Sequence, residues 1–124
     1  MNRTDNDKKC CMMNKRVFHM LSMDKRFSFS DIRTYFFITS SIDCDGKCTA
    51  TQAAMAKELN LSVSQVSKSL KVLRKKDLIR QCYINGNMAY FANPDYAVPG
   101  KDLKNRPALC AVYYNIPNEL DEKD

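Results

Sequence analysis

The sequence predicts an α+β, mainly α fold of the winged helix-turn-helix class. Three observations predict it: two helix-capping patterns thirteen residues apart, a lysine-rich amphipathic segment opened by the second, and an Asn-Gly turn between two apolar runs after it. The two caps leave room for a short helix, a turn and a longer helix, and the Asn-Gly turn adds a hairpin. That order of elements is a DNA-reading device.

Residues 1–14 are polar and weakly patterned, and read as a disordered basic arm; Arg3, Lys8, Lys9, Lys15 and Arg16 lie along phosphates or simply in water. Arg16-Val-Phe-His-Met-Leu21 is a short apolar run that periodicity leaves open between strand and helix start. Ser28-Phe-Ser-Asp31 is a capping box opening a helix through Ile32, Tyr35, Phe36 and Ile38 to about Ile42, either the central core helix, the reading we favour, or a dimer seam. Asp43 to Cys48 is a turn in which Gly46 takes positive φ.

Thr49-Ala-Thr-Gln52 is the first of the two caps: the Thr hydroxyl accepts from an unpaired backbone N–H and the Gln side chain returns a bond. Glu58 to Ser62 is the polar turn, where Asn60 tolerates the left-handed conformation that closes a helix. Ser62-Val-Ser-Gln65 then opens a helix to about Lys76. Val63, Val66, Leu70 and Leu73 form its apolar stripe, expected to be buried. The opposite face carries Ser64, Lys68, Lys71 and Lys75, with Gln65 and Ser67 at its borders. Hydroxyls, amides and long cations contact base edges and phosphates in a major groove, although a solvated surface helix shows the same types. The order of elements favours the groove. On that reading Ser64, Gln65 and Lys68 address base edges, Lys71, Lys75 and Arg80 address phosphates, and Arg74, near the buried border, serves either; Ser62 and Ser67 complete the contact set.

Asp77 stands where such helices often end in Gly, and Asp accepts left-handed geometry. Leu78 to Ile84 reads as a strand, Asn85-Gly86 as a two-residue turn and Met88 to Ala92 as the return strand, which together make the wing. Its tip is polar and uncharged, so a minor-groove contact by Asn85 and Asn87 works by hydrogen bond or shape. Residues 15–98 thus make the winged-helix domain, and residues 99–124 a C-terminal extension with an acidic tail, Glu119 to Asp124.

At 124 residues the chain accommodates one domain with extensions. Hydrophobic residues at 44% place it among globular chains. The net charge of +6 favours an anionic partner, and its distribution is more telling. Lys68, Lys71, Arg74, Lys75, Lys76 and Arg80 stand against Asp77 alone, a local balance of +5 on the helix and the start of the wing. No stretch resembles a signal peptide or reaches the roughly 20 apolar residues of a membrane span, so a cytoplasmic setting with reduced thiols and no membrane partner is expected.

The segment AAMAKELNLSVSQVSKSLKVLRKKDLI resembles bacterial winged-helix proteins generally, the MarR-type regulators among them. After the hairpin, NMAYFANPDYAVPGKDLKNR resembles the segment following the wing in plasmid replication initiators of the RepL type, and VFHMLSMD is similar to the short apolar strand ending in an acidic residue that precedes their first helix. The resemblance covers Val17 to Tyr114 and implies a protein that binds a plasmid origin as double-stranded DNA and recruits host replication proteins. Pro99 and the cysteines at 44 and 48 depart from the family pattern. The alternatives are a MarR-like transcriptional regulator, which can share the whole domain, or a phage- or plasmid-encoded protein-interaction module whose basic helix meets an acidic protein.

Neither catalysis nor a cofactor is expected. A DNA-nicking tyrosine works beside metal-binding histidines, and His19 is the only histidine; a nucleotide-binding loop needs glycines, and Gly46, Gly86 and Gly100 are the only ones. Cys44 and Cys48 have the spacing of half a zinc site without a second such pair, so no metal is expected. Five aromatics between Phe27 and Phe37 (Phe27, Phe29, Tyr35, Phe36, Phe37), together with Val112, Tyr113 and Tyr114, exceed what one small core hides, which predicts a homodimer.

Overall fold

In the computed structural model, residues 10–100 and 103–118 are described. The described chain is α+β: five helices and a small antiparallel sheet, in an order compatible with a winged helix. The expected disordered arm gives way before Asn14: Cys11–Met13 is a strand, β1, while residues 1–9 and the acidic tail from 119 lie outside the described residues. Arg16 to Leu21 resolves as helix within α1 (Lys15–Met23), capped by the Asn14 side chain on the Arg16 N–H at 2.8 Å. Val17 and Leu21, one turn apart, are its buried residues. VFHMLSMD is therefore helical, not the strand its resemblance suggested, and its Asp24 ends α1.

α2 (Phe29–Ser40) has the full Ser28–Asp31 box. Tyr35 and Ile38 on it are fully buried, so the core reading holds for that face. After β2 (Lys47–Cys48) comes α3 (Gln52–Leu59), whose cap is Thr51, accepting from the Ala54 N–H at 3.0 Å, and not Thr49. The Thr49–Gln52 box does not form because Gln52 is the first helical residue and its side chain donates to the Tyr90 hydroxyl at 3.2 Å. Asn60 closes α3 at φ 57°.

α4 (Val63–Lys75) begins with the expected reciprocal box: the Gln65 N–H donates to Ser62 Oγ at 3.0 Å and the Ser62 N–H to Gln65 Oε1 at 2.9 Å. Val66, Leu70 and Leu73 are fully buried, joined by the small Ser69. Val63 is 49% exposed, against expectation, because the first turn of α4 projects beyond the core. Asp77 follows at φ 54° and reverses the chain into β3 (Ile79–Ile84). Asn85 and Gly86, at φ 53° and 83°, form the two-residue turn to β4 (Asn87–Ala92); two consecutive positive φ values are what makes Asn-Gly suited to it. β5 (Ala97–Pro99) and α5 (Arg106–Asn115) complete the order.

The larger sheet runs β2-β4-β3, and β5 pairs separately with β1, Cys11 opposite Pro99. Strand alternation gives the hairpin two working faces. Tyr90 joins the main core, made by α1, α2, α3 and α4, with Met88 packed against it. Ala89 and Phe91 point the other way and form a second core with Tyr113 and Ile116, with Cys82 packed against it. The hairpin is thereby clamped between the helix bundle and α5. These cores absorb Phe27, Tyr35 and Tyr113 from the apparent aromatic surplus. Phe29 at 85% and Phe36 at 41% stay exposed on α2, as do Val112 and Tyr114 on α5.

Candidate nucleic-acid interface

α4 is anchored by its buried stripe, so its other face is fixed in orientation. Ser62, Ser64, Gln65, Ser67, Lys68 and Lys75 are exposed there, and Lys71 and Arg74 are half-buried. The capping box uses the carbonyl oxygen of Gln65, which leaves its two amide N–H donors as the outward-reaching part. Arg74 donates to Gln81 Oε1 at 2.9 Å and so ties α4 to β3. Lys76, at the end of the helix, pairs with Asp24 at 3.4 Å, and Arg26 bonds the same carboxylate and holds it well below the usual carboxylate range.

Arg80 is not part of this face, contrary to its assignment to a phosphate. Its side chain is only 10% exposed, and its Nε and Nη2 donate to the two oxygens of Asp77, both at 2.9 Å. Its Nη1 donates to the Ile116 carbonyl at 2.9 Å. The guanidinium also lies 4.7 Å from the Tyr113 ring centre and 5.0 Å from that of Tyr114, two rings packed edge to face. Tyr113 donates to Asp77 Oδ1 at 2.7 Å. Burial first, then that hydrogen bond to a carboxylate, pushes its hydroxyl far above the usual phenol range. Burial and a hydrogen bond to Asp95 push Tyr114 up to about 12. Asp95 also pairs with Arg106, and the Asn93 side chain donates to the Asp77 carbonyl at 2.8 Å. The segment Asn93–Asp95 is thus the brace that fixes α5 to the end of α4.

Asn85 and Asn87 are exposed at the hairpin tip, as expected of them. Beside them stands Tyr83, 71% exposed, a residue absent from the candidate contacts read from the sequence. Alternation puts it on the same hairpin face as Gln81, but nothing in the sequence reveals that this face outruns the helices it packs against. Tyr83, Asn85 and Asn87 line an open groove with Lys47, Thr49 and Gln52.

Cys48 is buried and burial pushes its thiol up, which disfavours the thiolate that metal ligation and redox chemistry use, whereas Cys44 is exposed. Among the described residues no three His, Cys, Asp or Glu side chains gather as a metal site. Nor is any described helix long and apolar enough to cross a membrane.

A search of the curated proteins finds no match to the chain. A family model described as Firmicute plasmid replication protein (RepL) matches residues 4–124.

Proposed function

The chain belongs to the RepL family of Firmicute plasmid replication proteins, and from that premise we propose that it is a winged helix-turn-helix protein that initiates plasmid replication by sequence-specific binding of double-stranded origin DNA. The observation that carries this reading is the exposed face of α4, where Ser64, Gln65, Lys68 and Lys75 project from a doubly capped helix whose opposite face is locked in the core. α4 enters the major groove and the β3–β4 hairpin is the wing. With one lone pair of its oxygen taken by the cap, Gln65 offers its two amide N–H donors, which suits the acceptor atoms of guanine or thymine edges. The protein works in the cytoplasm without catalysis of its own, and recruits host replication proteins once bound.

Fluorescence anisotropy of the full chain with duplex fragments of its plasmid tests the reading. One fragment should bind in preference to scrambled sequence, and Gln65→Ala should shrink that preference by roughly 10-fold. Absence of affinity for every duplex at low salt overturns it. A plasmid that replicates normally with the gene deleted overturns the replication role and leaves a transcriptional regulator.

The protein binds as a homodimer, joined through the α2 face that exposes Phe29 and Phe36, two turns apart. Light scattering should then give twice the 14.3 kDa chain mass; a concentration-independent single-chain mass refutes the dimer.

A further inference from the structure

The hairpin face that carries Ile79, Gln81 and Tyr83 meets the helices along most of its length. Ile79 is fully buried, Gln81 accepts from Arg74, and Tyr83, opposite Met88, runs past the end of that packing. The groove beside Tyr83 has a volume of about 550 Å³. That lies within the roughly 300–1,000 Å³ of pockets that hold small organic ligands.

Its chemistry is uneven in a useful way. One wall is an exposed phenol ring. The rest combines apolar groups, Ile84 and Met88 among them, with neutral polar ones: Thr49, Asn85, Asn87 and Gln52, the last tethered through its Nε2 to the Tyr90 hydroxyl so that its oxygen is left to accept. The cation present, Lys47, is held by Asp43 at 2.8 Å and Asp45 at 3.6 Å. A groove whose charge is already neutralised is a poor phosphate trap. A flat aromatic ring flanked by side-chain amides suits the π-face and edges of a nucleobase instead. In a paired duplex those faces are hidden by stacking, so the occupant has to be unpaired.

We propose that the groove between the hairpin and the start of α3 holds an unpaired nucleotide of single-stranded DNA, its base stacked on Tyr83 and its edge read by Asn85, Asn87 and Gln52. This rests on the DNA-binding reading above and adds to it a second mode, directed at opened DNA. The Arg74–Gln81 bond ties α4 to the hairpin face that carries Tyr83.

The test is a titration of the full chain with a single-stranded oligonucleotide carrying one aminopurine, run beside a fully paired duplex. Binding should quench the aminopurine by stacking. Tyr83→Ala should weaken the single strand about fivefold or more, the low end of what a stacked base loses on truncation to Ala, and weaken the duplex by much less. Tyr83→Phe keeps the ring and should keep the affinity. Unchanged single-strand binding in Tyr83→Ala overturns the proposal, as does a wild-type chain that binds the duplex alone, in which case the DNA-binding reading stands. A chain that binds neither overturns both.

Discussion

Arg80→Ala should lower the unfolding free energy by about 3 kcal/mol and leave the salt dependence of DNA binding unchanged. The magnitude follows from what the substitution strands. Arg80 supplies two hydrogen bonds to the Asp77 carboxylate, a third to the last turn of α5, and a cation against two tyrosine rings. Without it Asp77 keeps the Tyr113 hydroxyl as its side-chain partner. Breaking a buried ion pair from one side costs about 3–5 kcal/mol, and the lower end applies because the Asp77 side chain is 27% exposed and partly hydrated. Urea denaturation reads the loss as a lower midpoint. A phosphate-contacting arginine would behave in the opposite way, with stability intact and a salt slope smaller by about 0.9. That result would return Arg80 to the DNA face.

The double substitution Lys68→Ala with Lys75→Ala should have the complementary signature. Both lysines are exposed, so the fold loses little when they are truncated. If each neutralises one phosphate, the slope of log K against log salt should fall by roughly 1.8, which corresponds to about a 60-fold loss at 0.1 M salt relative to a 1 M reference. The loss should be nearly equal for specific and scrambled duplexes. Anisotropy titrations at several salt concentrations give both numbers. An unchanged slope would mean that these cations face water in the complex and that α4 does not follow the DNA backbone.

The elements whose geometry is set within a few residues were legible in the sequence. The Ser28–Asp31 and Ser62–Gln65 boxes formed as read, and so did the Asn60 and Asp77 reversals and the Asn85–Gly86 turn, because each depends on local hydrogen bonds and on φ values that few residues adopt. Errors arose where a distant partner decided. Gln52 has the type and spacing of a capping residue, but Tyr90, far along the chain, claims its side chain. The Cys11–Met13 strand was invisible because its partner is Ala97–Pro99 and its own three residues carry no period. Arg80 looked like one more cation in a basic run, and only the fold brings it beneath Tyr113 and Tyr114. Among the candidate contacts on α4, periodicity identified Ser64, Gln65, Ser67, Lys68 and Lys75 as exposed, since the stripe at Val66, Leu70 and Leu73 fixes which way they face, but it showed neither that Lys71 is half-buried nor that Val63 is exposed.

The pairing of β1 with β5 also sets an order in time. The chain is made from its N-terminus, so Cys11–Met13 leaves the ribosome long before Ala97–Pro99 has been translated. Until then its backbone donors and acceptors have no strand to meet, and closing so long a loop waits on the rest of the domain. The first of the described strands to be synthesised is thus among the last to be secured. Ribosome-bound chains stopped before Ala97 would carry Cys11–Met13 as an open edge, and a stop codon ahead of Ala97 would be felt structurally at that distant strand.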